Sequence, residues 1–152
     1  MIFIKKIENL SPDIAEPLVE NAALEALRHQ AAPEDAELTL VLTDDAQLHA
    51  LNKEYLDVDA PTDVLSFPSD QTDPETGSRY VGDILISVER AAAQAAAAGH
   101  ATEAEVQLLV VHGVLHLLGH DHADPEEKAR MWQAQAEILS KLGLGHVAIR
   151  ES

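Results

Sequence analysis

The 152-residue sequence predicts an α+β fold in a single domain, residues 1–152: a mixed sheet of about four strands packed with helices, one of them central. Three observations predict it. Four short segments rich in β-branched and apolar residues are interleaved with stretches of helical periodicity. One helical stretch, Thr102 to Leu118, is apolar nearly all round in its C-terminal half, as a helix buried on several sides must be. No internal repeat and no linker divides the chain.

Met1 to Ile7 alternates and carries β-branched residues, which predicts a strand. Ser11-Pro12 has the form of a helix start, with serine as cap and proline at the first position, and the helix is expected to run to about His29. Its apolar side includes Ile14, Leu18, Ala22 and Leu27. After a turn at Ala32 to Asp35, Glu37 to Leu42 is a second strand. Asp44 with Gln47 resembles a capping box that opens a short helix through Leu48 and Leu51. Val64 to Phe67 is a third strand, expected to close at Pro68, and Ser69 to Tyr80 is expected to be a polar loop. Ile84 to Ile86 follows as a fourth strand. Ser87 caps an alanine-rich helix through Ala98. Thr102 with Glu105 reads as a capping box for the central helix, and Asp124-Pro125-Glu126-Glu127 opens a last helix that Gly143 ends. The first strand-helix-strand unit is expected to be a parallel, right-handed crossover, with one of the later strands antiparallel at an edge.

Composition narrows the function. The net charge is −17, with 27 acidic and 10 basic residues and no Lys/Arg cluster, a balance that argues against tight autonomous binding to RNA or DNA. No apolar run reaches transmembrane length and Met1 to Leu10 lacks a signal-peptide core, so a cytoplasmic protein without membrane contact is expected. There is no cysteine, so a metal would have to be held by His, Asp or Glu.

Such a set exists in Val111-His112-Gly113-Val114-Leu115-His116-Leu117-Leu118-Gly119-His120-Asp121-His122. His112 and His116 are four apart and share one helix face. Gly119 tolerates the left-handed backbone of a helix end, which lets the chain return with His122. Three imidazoles with a fourth position open is the arrangement of a catalytic zinc site, although nickel, copper or iron suits it too. The alternative, two core histidines and a surface one, leaves buried imidazoles in need of other partners. Asp121 is a candidate to orient a ligand imidazole, and His120 to touch substrate near the open position.

Together with Ala60-Pro61-Thr62-Asp63-Val64-Leu65-Ser66-Phe67-Pro68 and Gly82-Asp83-Ile84, this motif resembles the YbeY family of metal-dependent bacterial endoribonucleases, over about Leu38 to Leu142. The resemblance implies a fold similar to zinc metalloproteases, with one zinc ion per chain on His112, His116 and His122. It implies cleavage of single-stranded RNA in maturation of the small-subunit rRNA 3′ end and in ribosome quality control. The implied partners are an rRNA precursor, the small ribosomal subunit and assembly proteins, with neither DNA nor membrane.

One position departs from the pattern. The family usually has an arginine, held necessary for RNA cleavage, after the tyrosine matched by Tyr55; here Leu56 stands there, and neighbouring basic positions hold Val58 and Ala60. Leucine neither clamps a phosphate nor stabilises developing charge. Arg79, the nearest arginine after the motif, is the candidate replacement. Without one, the resemblance implies a non-catalytic, metal-bound ribosome-assembly factor. A zinc peptidase of the H-E-x-x-H type would need a glutamate where Gly113 stands, which argues against peptide hydrolysis.

Overall fold

A computed structural model describes residues 1–147, and the last five positions of the 1–152 domain reading lie outside the described residues. The chain runs β1 (Ile2–Lys6), α1 (Glu16–His29), β2 (Glu37–Thr43), α2 (Asp45–Leu56), β3 (Val64–Thr72), β4 (Arg79–Ser87), α3 (Val88–Ala98), α4 (Thr102–Leu117) and α5 (Pro125–Lys141). The strands form one mixed sheet in the order β1-β2-β4-β3. β1 and β4 pair parallel with β2, and β3 pairs antiparallel with β4 at the edge, as the element order led us to expect.

Alternation along the strands divides the apolar residues between two faces. Leu38, Leu40, Leu42, Ile84 and Ile86 enter the main core shared with the helices. Leu65 and Leu85 enter a smaller core with Leu48 of α2, flanked by Val41, Leu51 and Phe67. α4 touches α1, α3, α5, β3 and β4, which is why its sequence has almost no polar side. No helix among the described residues is long and apolar enough to cross a membrane.

Three caps follow the local signals. Asp44, Ser87 and Asp124 accept from the backbone N–H groups of Gln47, Arg90 and Glu127. The other signals were overridden. α1 starts at Glu16 rather than at Ser11-Pro12, because a helix from Pro12 would bury Pro17 in its interior, where the ring clashes with the carbonyl four residues back; starting at Glu16 puts Pro17 in the first turn. α4 is capped by Ala101 and not by a Thr102–Glu105 box: Glu105 is buried and its Oε1 lies 2.6 Å from His100 Nε2.

β3 does not stop at Pro68. At the edge of a sheet proline needs no ladder partner, and the strand continues to Thr72, with an irregularity in register between Pro68 and Gln71. The expected 69–80 loop is therefore a hairpin whose turn occupies residues 73–78, closed by Asp73 N–H to Ser78 O at 2.8 Å. Both faces of its end are solvated, so its strands carry no apolar alternation.

Candidate metal centre

His112 and His116 project from the C-terminal half of α4, one turn apart. The helix then ends in a pair of reversed bonds, Gly119 N–H to His116 O at 3.1 Å and His120 N–H to Leu115 O at 2.9 Å. Gly119 takes φ +100°, a conformation costly for any residue with a side chain. This reversal brings His122 back beside the two helical rings.

Ring centroids lie 4.6 Å apart for His112–His116, 5.5 Å for His116–His122 and 5.9 Å for His112–His122. One ligand atom from each of the three lies within 4.8 Å of the others. The His112 and His116 Nε2 atoms are 3.1 Å apart. A tetrahedral ion with Zn–N bonds of about 2.05 Å sets its nitrogens about 3.3 Å apart, so the pair fits a metal of that size.

The proton positions fit as well. His112 Nδ1 lies 3.2 Å from Gln135 Oε1, which can only accept, so the hydrogen sits on Nδ1 and the Nε2 lone pair faces the cluster. The His112 pKa is lowered to about 4, by burial first and then by His116 and His122, with the Gln135 hydrogen bond opposing them. His116 is lowered too, by burial first and then by His122. At neutral pH both rings present lone pairs rather than charges.

The triad lies at one wall of a cleft of about 320 Å³, faced by Thr62, Asp63 and Ser66 and reached by Leu56 from the end of α2. Among the described residues, no lysine or arginine lines it. Asp63 is buried; desolvation raises its pKa, while hydrogen bonds from Gln94 and the Val64 backbone pull it down.

The other residues singled out in the sequence are not gathered here. Asp121 is exposed and accepts the His122 backbone N–H at 2.7 Å, so it shapes the loop that carries that ring. His120 turns away: its Nε2 lies 2.7 Å from Gln30 Oε1, Gln30 Nε2 lies 2.9 Å from His29 Nδ1, and His29 Nε2 lies 3.4 Å from Glu137. It lines a separate recess with Glu127 and Arg130. Arg79 begins β4 beside the hairpin turn, 3.8 Å from Asp70, and does not line the cleft.

Two residues escaped the sequence reading as parts of the site. Gln135, which orients His112, was legible only as a polar interruption of the buried face of α5 between Met131 and Ile138. Trp132 meets His112 and His122 edge-on at 6.3 and 5.7 Å, walling the cluster from the α5 side. Gly113 is also explained: a Cβ there would lie 2.8 Å from Ile84 Cγ2, so glycine lets α4 lie against β4.

Comparison with known proteins agrees along most of the chain. A family model described as endoribonuclease YbeY matches residues 4–143. The protein of that name from Roseiflexus castenholzii is 43% identical over 149 residues, 95% of this chain and 94% of its own. That from Chloroflexus aurantiacus is 48% identical over 133 residues, 84% and 86% of the two chains. The solution structure of TM1509 from Thermotoga maritima shares the fold, with a TM-score of 0.60 at 22% identity over 100% of this chain and 99% of that one. With its three-histidine cleft, its α+β fold and this likeness over nearly its full length, the chain belongs to the YbeY family.

Proposed function

We propose that this protein is a metal-dependent endoribonuclease of single-stranded RNA, with zinc held by His112, His116 and His122 and the 3′ end of small-subunit rRNA precursor as its substrate. The observation that carries the reading is the convergence of three imidazoles on one wall of an open cleft, in a chain whose relatives are named endoribonucleases. Action on ribosome precursors in the cytoplasm, beside assembly proteins, extends the same reading.

A divalent ion held by such a triad supplies a water acidic enough to lose its proton near neutral pH and polarises a phosphoryl oxygen. The chain's own residues prepare for this. Gln135 keeps the His112 proton on Nδ1, the Gly119 reversal sets His122 opposite the helical pair, and Trp132 closes the α5 side. Across the cleft, the Ser66 and Thr62 hydroxyls and the Asp63 carboxyl are the polar groups available to orient substrate oxygens.

The test is cleavage of single-stranded RNA by the metal-loaded and the chelator-stripped protein, beside His112→Ala, His116→Ala and Leu56→Arg. Cleavage lost with the metal and in both histidine variants is the expected result; unchanged metal content in both variants removes the centre of the proposal. One observation favours a second reading, a metal-bound assembly factor without cleavage: Leu56 reaches a cleft that, among the described residues, no lysine or arginine lines. Cleavage that begins only in Leu56→Arg identifies that case. Peptide hydrolysis lacks its base, since position 113 has no side chain and any added there starts toward Ile84.

A further inference from the structure

Six large hydrophobic side chains stand exposed among the described residues, and three of them fall within four positions at the end of α2: Tyr55, Leu56 and Val58. This is also where α2 meets the cleft, because Leu56 is part of its wall. Tyr55 is 61% exposed, in a chain whose aromatic residues are one Trp, two Tyr and two Phe.

The exposed ring is braced. Phe67 of β3 meets Tyr55 edge-on, with centroids 5.6 Å apart and planes at 68°, and Phe67 packs in the small core under α2. The segment behind it is tied down as well. Asp57 ends the helix in the left-handed region at φ 57°, and buried Asn52 donates from Nδ2 to Ala60 O at 2.9 Å. An aromatic surface held this way loses little freedom when something stacks on it.

What stacks there must be continuous with what lies in the cleft, since Leu56 belongs to both. Among the described residues, the cleft wall offers no lysine or arginine to a phosphate. Leu56 of its wall and the exposed Tyr55 ring next to it in the chain suit the flat apolar face of a nucleobase. We infer that Tyr55, backed by Phe67 and flanked by Leu56, is a platform for one unpaired base of the RNA whose phosphodiester lies at the histidines, so that the protein grips its substrate by a base rather than by the backbone. The inference rests on the endoribonuclease reading. It supplies a physical reason for selecting single strands, because bases in a duplex have both faces covered by neighbours. It also reconciles RNA binding with a net charge of −17, because stacking releases no counterions.

The experiment is fluorescence anisotropy with a labelled 12-nucleotide single-stranded RNA and the full-length, metal-free protein, which does not consume the probe. Tyr55→Ala should weaken binding about tenfold, from stacking worth about 1–3 kcal/mol per base. Tyr55→Phe should stay within about twofold, and Leu18→Ala, an exposed apolar control on α1, should change nothing. A single abasic site walked along the RNA should, at one position, cost the same factor and abolish the effect of Tyr55→Ala. The slope of log Kd against log salt should match about one phosphate contact.

Unchanged affinity in a folded Tyr55→Ala overturns the inference and leaves the apolar rim to a protein partner. So does failure of the unmodified protein to bind the RNA, or loss in Tyr55→Phe equal to that in Tyr55→Ala. The two readings fail separately: RNA bound through Tyr55 but never cleaved defeats the endoribonuclease reading alone, and metal-dependent cleavage indifferent to Tyr55→Ala defeats the platform alone.

Discussion

Replacing Gly113 by alanine adds one methyl group where α4 lies against β4. The new Cβ would stand 2.8 Å from Ile84 Cγ2, 3.1 Å from Cδ1 and 3.2 Å from Cγ1. Carbon pairs are most favourable at about 3.5–4.0 Å, so the helix must lift by roughly 0.7 Å or Ile84 must leave its rotamer. Ile84 is fully buried and branched at Cβ, which leaves it few rotamers to take. Overpacking of this kind costs about 1–3 kcal/mol, against about 0.8–1 kcal/mol gained by alanine over glycine within a helix. The net expectation is a loss of about 1 kcal/mol. In an Ile84→Ala background the three crowding atoms are gone, and Gly113→Ala should then stabilise by about 1 kcal/mol, a coupling of about 2 kcal/mol between neighbours. Urea melts of the four metal-free proteins measure this directly. Equal effects of Gly113→Ala in the two backgrounds would refute the steric argument. The same lift carries His112 and His116 away from His122, so weaker metal binding should accompany the loss of stability.

Two other predictions concern the histidines. Gln135→Leu removes the acceptor that holds the His112 proton on Nδ1, and should weaken metal binding about 10–100-fold in competition with a chelator. The change leaves the buried His112 Nδ1–H unpaired, at about 1–3 kcal/mol, offset in part because the Gln135 Nε2 atom is itself buried without a hydrogen-bond partner; undiminished metal affinity would exclude the orienting role. In the metal-free protein, burial holds the His112 pKa at about 4 against 6.5 when exposed, so the unfolded chain takes the proton first as pH falls. Stability is then complete above pH 6.5 and declines toward pH 4, by about 3 kcal/mol at about 1.4 kcal/mol per pH unit. Chemical denaturation across that range should show the slope, and His112→Gln should flatten it; an equal slope in both proteins would assign the acid sensitivity elsewhere.

Much of the fold and the heart of the site were legible because their causes are local. Asp44, Ser87 and Asp124 cap helices through N–H groups three residues away, and a four-residue spacing puts His112 and His116 on one face whatever surrounds the helix. Gly119 marks a reversal that depends on its own missing side chain. Where the reading missed, the deciding partner was distant or the local signal was duplicated. Ser11-Pro12 and Pro17 both announce a helix start, and only one register avoids an interior proline. Pro68 stops a central strand but not an edge strand, and edge position follows from which strands pair.

By itself, then, the amino-acid order determined most element types, the caps at Asp44, Ser87 and Asp124, the helical histidine pair and the glycine that returns the third ring, all of them consequences of backbone geometry over a few residues. Only the tertiary structure decided that Gln135 orients His112, that His120 faces Gln30 rather than the cleft, that Arg79 stands beside the hairpin turn, and that Tyr55 is braced by Phe67 at the end of α2. The reason is physical. A polar side chain turns toward whichever partner packing brings within about 3 Å, and residues 23 or 90 positions apart carry no mutual signal until the core has formed.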